Sequence, residues 1–184
     1  MHKTTSGAPS PSFPPQTPWS PFLKEMDFRL ARPVTLHCLG GFVLSAMYAI
    51  PRPTADLDYI EVIPKEAMQE LEEIAGRESA FAKKHGVYVH FAGVIDLPDG
   101  YEDRLSDPGF GLHKLRLLVL DPYDLLLSKL VRNSPKDRED MKFLVKKLGL
   151  KFAVLQQRFR EEMAPWIPNL DRHDLTLNLW KEFF

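Results

Sequence analysis

The chain has 184 residues, 44% hydrophobic and 27% charged, with a formal net charge of −1, the proportions of an ordinary globular protein of one domain. Its one cysteine, Cys38, excludes an internal disulfide framework and any zinc ribbon or knuckle, and points to a reducing cytoplasm. The longest uncharged apolar stretch, Cys38 to Ile50, is 13 residues; spanning a bilayer takes about 20, so it reads as core and no membrane partner is expected.

Residues 1 to 21 hold 6 of the 16 prolines with several Ser and Thr. They show neither helical nor strand period, which predicts an extended or disordered tail, and they lack the apolar h-region of a signal peptide. Val34, Leu36 and Cys38 alternate as one face of a strand over Val34 to Leu39, which Gly40-Gly41 breaks. Phe42 to Ala49 is apolar nearly all round, as a short buried helix behind a sheet would be, and Pro51 and Pro53 stop it. A second strand is expected at Leu57 to Ile63. A helix is then expected from Pro64 to about Lys84, with Met68, Leu71, Ile74 or Ala75, and Phe81 on one stripe and Gly86 as terminator.

Val87-Tyr88-Val89, Val94-Ile95 and Leu115 to Leu120 read as further strands of the same sheet. Asp121-Pro122 supplies an N-cap and a first-turn proline for a Leu-rich helix to about Arg132. Ser134-Pro135-Lys136-Asp137 repeats the device as a capping box, followed by Met141, Leu144, Val145 and Leu148 at helical spacing and by Gly149. Phe152, Leu155, Phe159 and Met163 mark a further helix. In the last stretch Leu175, Leu177 and Leu179 alternate like a strand, but a helix capped by Asp171 and presenting Leu175, Leu179 and Phe183 is preferred. The expected class is α/β (α+β): a mixed sheet with flanking helices over residues 22–120, and a C-terminal helical region over 121–184 packed on it.

The segment that carries chemistry is Gly40-Gly41 followed by Arg52, Thr54, Asp56 and Asp58. With Leu57 in a strand, the two acids point to one face about 6.7 Å apart along the chain. Two carboxylates so placed repel unless a cation lies between them, and hard oxygen donors of this kind suit magnesium together with substrate phosphates. The diglycine lets backbone approach a bulky anion, and the N–H groups opening the next helix favour one. Each part alone has a plainer explanation, a tight turn for the diglycine and a solvated turn for Asp-x-Asp; it is their combination that points to a metal–phosphate site. His37 reads as a satisfied sheet histidine. From Lys114 to Arg160 there are 12 Lys or Arg and 5 Asp or Glu. That excess suits a polyanion, while Lys142, Lys146, Lys147 and Lys151 read equally as the solvated side of helices.

Gly40-Gly41 with Arg52-x-Thr54-x-Asp56-Leu57-Asp58 resembles the signature of the nucleotidyltransferase superfamily that includes DNA polymerase beta. More narrowly, it resembles the branch of AbiEii-like toxins of type IV toxin–antitoxin systems and related bacterial nucleotidyltransferases. Asp121-Pro122-Tyr123-Asp124-Leu125 to Lys129-Leu130-x-Arg132, then Lys136-Asp137-x-x-Asp140, resembles the helical motif of that branch, so the likeness covers about residues 34–148. It implies transfer of a nucleoside monophosphate from a nucleoside triphosphate (NTP) to an acceptor hydroxyl on RNA or protein, with a cognate antitoxin as a partner. It also implies two magnesium ions, or manganese in their place, held by Asp56 and Asp58.

The same resemblance implies a third metal-binding carboxylate from a later strand, with Asp96 as candidate and a plain turn aspartate as its alternative. Gly40, Gly41, Arg52, Thr54, Lys129 and Arg132 would bind nucleotide. Asp137 and Asp140 match the acidic helix, although capping and pairing of Lys136 with Asp140 also account for them. Related sequences commonly have glycine where this chain has Ala49-Ile50. A nucleotide-binding or protein-interaction module without turnover and a metal-dependent phosphoester hydrolase are the competing functions.

Overall fold

The computed structural model describes residues 18–184: a mixed α/β fold with one four-stranded sheet and eight α-helices among the described residues. The strands are β1 (Val34–Leu39), β2 (Asp56–Ile63), β3 (Tyr88–Phe91) and β4 (Leu115–Val119), in spatial order β3-β2-β1-β4. β1 runs antiparallel to β2 and parallel to β4, and β2 pairs with β3 in parallel. As an inner strand covered on both sides, β1 buries not only Val34, Leu36 and Cys38 but also His37 and Leu39, which is why it reads as a nearly continuous apolar run. His37 Nδ1 lies 3.2 Å from the Tyr101 hydroxyl, a sheet histidine with a partner. The register of β2 against β1 shifts between His37 and Cys38, so the buried face of β2 passes from Leu57 and Tyr59 to Val62.

α1 (Trp19–Arg29) begins inside the segment expected as tail. Pro21 sits in its first turn, where a missing N–H costs nothing, and Trp19 packs edge-on against Phe42 with centroids 4.8 Å apart. Residues 1–17 of that expectation lie outside the described residues. The Asp27 carboxylate ties α1 to β4 by accepting the backbone N–H groups of His113, Lys114 and Leu115. Burial alone would raise its pKa, but these donors outweigh it and hold it below the ordinary carboxylate value.

α2 (Gly40–Tyr48) follows β1 directly and packs on β2, with Phe42, Val43 and Leu44 fully buried. It ends on Ala49, whose φ of 53° and ψ of 44° are left-handed, the conformation that glycine adopts without strain. The single helix expected from Pro64 to Lys84 is two, α3 (Ala67–Ala75) and α4 (Ala80–His85). The chain extends at Gly76 and restarts where Ser79 Oγ caps the N–H of Ala82 at 3.0 Å, a competing start signal within the same apolar stripe. Val94-Ile95 is not a strand. After the Ala92 N–H bonds to Tyr59 O, Gly93 takes φ 75° and turns the chain off the sheet edge, leaving Val94 fully exposed.

α5 (Pro122–Leu127) stops short of Arg132, because i→i−3 bonds from Lys129 and Leu130 tighten the turn and bring both side chains inside. α6 (Pro135–Leu148) carries the expected capping box between Ser134 and Asp137, with Gly149 left-handed beyond its end and Lys142, Lys146 and Lys147 in solvent. α7 (Phe152–Arg158) runs on into a π-turn over Phe159–Met163, burying Leu155, Phe159 and Met163. Asp124, fully buried on α5, accepts from Arg104 at 2.9 Å and from Arg158 at 2.9 Å, which fastens α7 to the core.

α8 (Leu170–Trp180) is a helix as preferred, but rotated: His173, Thr176, Leu177 and Trp180 face inward while Leu175 and Leu179 are exposed. Asn169, not Asp171, occupies the N-cap position. The Trp180 indole donates to Asn133 Oδ1 at 3.0 Å, a buried donor that could be satisfied only with this face inward.

Candidate active site

The register of the sheet places the acids. Asp58 lies opposite Leu39 on one side and His90 on the other, so the end of β1 and the first residues of α2 sit against its side chain. Leu57 between the acids is fully buried, which turns Asp56 and Asp58 to the opposite face of β2. The diglycine is required by this packing. Gly40 has φ 74°, and a Cβ there would collide with the Asp58 carboxylate; a Cβ on Gly41 would lie 2.8 Å from Thr54 Oγ1. Thr54 Oγ1 in turn donates to Asp56 Oδ1 and so aims the first acid. The N-cap of α2 is Leu39, whose side chain caps nothing, so the opening N–H groups beside Asp58 have no side-chain acceptor.

Burial raises the pKa of Asp58, and the neighbouring Asp56 adds to the rise; His90, whose Nδ1 lies 2.9 Å from Asp58 Oδ1, and Lys129 work against it. The net shift is upward, because burial of Asp58 outweighs the positive groups beside it.

The opposing charge comes from the turn after α5. Lys129, 5% exposed, donates to Asp137 and Asp140 at 3.1 Å each. Arg132 forms a two-pronged pair with Asp137 at 2.6 and 2.7 Å, and its side chain remains 67% exposed on the cleft wall. Arg52 donates to both oxygens of Asp140 at 2.6 and 2.7 Å. Two buried acids thus hold three cations, leaving one positive charge in surplus. Burial would raise the pKa of Asp137, but Arg132, Ser134 and Lys129 bring it well below the usual range. Asp140 is not paired with Lys136 as the sequence suggested: it faces inward, to Arg52 and Lys129.

Between these walls lies a cleft of about 510 Å3. Gly40, Asp58, Asp96, Lys129 and Arg132 all line it, together with His90 and Arg172. Gly41, Arg52, Thr54 and Asp56 do not line it, and neither do Asp137 and Asp140, which bond to the Lys129 and Arg132 of its wall. Asp96 reaches the cleft from the far side, where its Oδ2 is 3.7 Å from Nε2 of the buried His173.

Among the described residues no group of three or more His, Cys, Asp or Glu is gathered closely enough to hold a metal ion unaided. Asp96 is thus in the cleft without joining the other two acids. The donor set still fits magnesium, which takes one or two carboxylates and completes its shell with water and substrate phosphates. The cramped, partly buried Asp58 against a glycine cradle is the observation that supports this fit.

His90, Arg172 and His173 went unseen in the sequence. His90 could be found only from the parallel pairing of β2 with β3, a long-range contact without a local signal. Arg172 and His173 depend on which face of α8 turns inward. No helix of the described residues is long and apolar enough to cross a membrane.

No curated protein and no solved structure gives a significant match to the chain. A family model does match, over residues 23–184, a span that takes in all four strands and every helix from the middle of α1 onward; the chain therefore belongs to DUF6036, the family described as nucleotidyltransferases of unknown function.

Proposed function

We propose that this nucleotidyltransferase moves a nucleoside monophosphate from an NTP to an acceptor hydroxyl in the Asp58 cleft, with release of pyrophosphate and with help from a divalent cation. The observation that carries the reading is the meeting, across one cleft, of an acid pressed on a diglycine with an exposed arginine and a buried lysine. Asp58 and Asp56 would hold the cation, which when bound neutralises charge on the phosphate oxygens and orients them for in-line displacement.

The chain's own groups divide the remaining work. Thr54, by donating to Asp56, fixes that carboxylate on the same face of β2 as Asp58. The opening N–H groups of α2 receive a phosphate. Arg132, exposed and anchored by Asp137, meets the charge that grows on the leaving pyrophosphate. Lys129, held between two acids, supplies field from below without leaving its seat. Arg52 acts through Asp140 as a positioning residue.

RNA is the favoured acceptor, since Lys136, Lys142, Lys146 and Lys147 stand in solvent along α6 and give that side a positive field. The resemblance to AbiEii-like toxins extends the reading to growth arrest on expression, relieved by an antitoxin.

The test is incubation of the purified chain with Mg2+ or Mn2+, total RNA and each labelled NTP in turn, beside Asp56→Asn and Asp58→Asn. Label entering RNA or protein with the wild type, and falling at least about 100-fold in either variant, is the expected result. Release of free phosphate alone would establish a hydrolase. A nucleotide-dependent rise in melting temperature with no product would establish a binding module.

A further inference from the structure

We propose that the pocket at the outer end of β3 is a docking site for a basic, extended segment of a partner polypeptide. The segment pairs with the free edge of that strand and lays one arginine or lysine side chain on Trp166, against Asp99 and Glu102, whatever the chemistry of the neighbouring cleft.

Charge and surface chemistry select the occupant. The pocket, of about 440 Å3, is distinct from the Asp58 cleft but shares Val94 and Ile95 with it. Phe91, Val94 and Trp166 on its wall are 40%, 101% and 44% exposed, three apolar side chains left uncovered at one place. The Trp166 indole donates to Glu162 O at 2.7 Å, which fixes the ring. Asp99 and Glu102 line the same pocket and are exposed. Neither belongs to an ion pair among the described residues, and Arg104, the arginine of the same turn, is committed to Asp124 and Glu162. No lysine or arginine lines the pocket. The negative field is felt nearby: burial first, and then Glu102 and Glu61, push the Tyr101 hydroxyl up to about 12. Aromatic surface beside unpaired carboxylates suits a cation on an apolar stem, which arginine and lysine provide. A nucleic-acid strand would instead bring its phosphates against the acids.

The strand edge supplies the backbone half of the site. Tyr88 N–H donates to Ala55 O and Ala92 N–H to Tyr59 O, so in this parallel ladder the alternate residues Val89 and Phe91 turn their N–H and C=O groups away from β2. β3 is the outer strand of the sheet, and among the described residues no backbone group bonds to it on that side. An unpaired edge is a template for an added strand, whose alternate side chains then enter neighbouring pockets. Phe91 belongs to both the edge and the pocket wall, so one extended segment can engage both. A small organic cation would meet the acids and leave the edge unpaired.

The experiment titrates the full chain with a capped synthetic peptide of alternating valine and arginine, with its lysine and glutamate counterparts, with spermidine and with an oligouridylate. Trp166 emission reports on the pocket, since Trp19 and Trp180 are buried, and amide hydrogen exchange reports on Phe91. Expected is a saturable emission change with the arginine or lysine peptide, together with slower exchange at Phe91. The double substitution Asp99→Asn, Glu102→Gln should weaken that binding by about tenfold or more. Both positions are exposed, so the double variant should melt with the wild type. No saturable change with either basic peptide, equal affinity for the glutamate peptide, unchanged affinity in the double variant, or an unprotected Phe91 amide would each overturn the proposal. Tighter binding of spermidine or of the oligouridylate than of the basic peptides would reassign the pocket to a small cation or to RNA, and would overturn it as well.

Discussion

Asp58 shows how a single side chain can be costly to the fold it serves. Its ionised form is disfavoured by burial first and by Asp56 second, so its folded pKa lies above that of the unfolded chain. Such a group weakens the fold as pH rises from the unfolded value through the raised one, and the penalty is complete at neutral pH. Asp58→Asn removes the charge while keeping an acceptor for His90. The melting temperature should rise at pH 7, and the gain should vanish toward pH 3, with transfer lost throughout; differential scanning calorimetry against pH checks the sign. Gly40→Ala acts in the opposite sense. It combines a left-handed backbone position with a Cβ driven into Asp58, and a loss of about 1–2 kcal/mol in urea unfolding is expected from the conformation alone. At this scale the sequence was informative. The Asp-x-Asp spacing and the diglycine carried their own physics, and the structure adds that each glycine faces one functional side chain. His90 was illegible because its neighbour in space lies 32 residues away.

The elements owe their ends to local chemistry and their mutual placement to buried charge. Asp140 on α6 joins Arg52, from the loop before β2, to Lys129 after α5. Asp140→Ala leaves both cations facing a void, and breaking a buried pair of this kind costs about 3–5 kcal/mol; chemical denaturation should show that loss, together with weaker nucleotide binding. Ala49 offers the reverse opportunity. Its left-handed conformation at the end of α2 means that Ala49→Gly should add about 1 kcal/mol, read as a shifted urea midpoint with unchanged slope. Helix starts were legible where a cap and a first-turn proline came together, as at Asp121-Pro122 and Ser134-Pro135. What escaped was punctuation within apolar runs: Ser79 restarted a helix, and the tight turn at Lys129 ended one early. The rotation of α8 escaped for another reason, since two leucines per turn signal a face only when nothing larger competes, and Trp180 does.

Across the whole molecule, depressed carboxylates make the fold sensitive to acid. Glu25, bonded to Lys84, Arg29 and His85, is lowered from 4.5 to about 2. Asp107 is lowered chiefly by Arg116, and Asp27 and Asp137 are lowered by donors that overcome their burial. Groups of this sign stabilise the fold fully above their unfolded values and lose that contribution as pH falls through the folded ones. The melting temperature should therefore hold from pH 7 to about 5 and drop steeply between about 4.5 and 2, with the Glu25 share diminished by salt because that cluster is exposed. Fold class was readable from the alternation of strand and helix signals. Strand order was not, since an antiparallel β1–β2 pair spanning a helix leaves no mark in the composition.

Arg172 of α8 and Asp58 of β2 border one cavity, so the last helix is as much a boundary of the binding space as the sheet is. A triphosphate lodged there would touch the sheet and the last helix together and hold one against the other. Limited trypsin digestion should then clip the C-terminal segment more slowly when a nonhydrolysable nucleotide is present, making proteolytic sensitivity of the tail helix a gauge of occupancy that needs no knowledge of the acceptor.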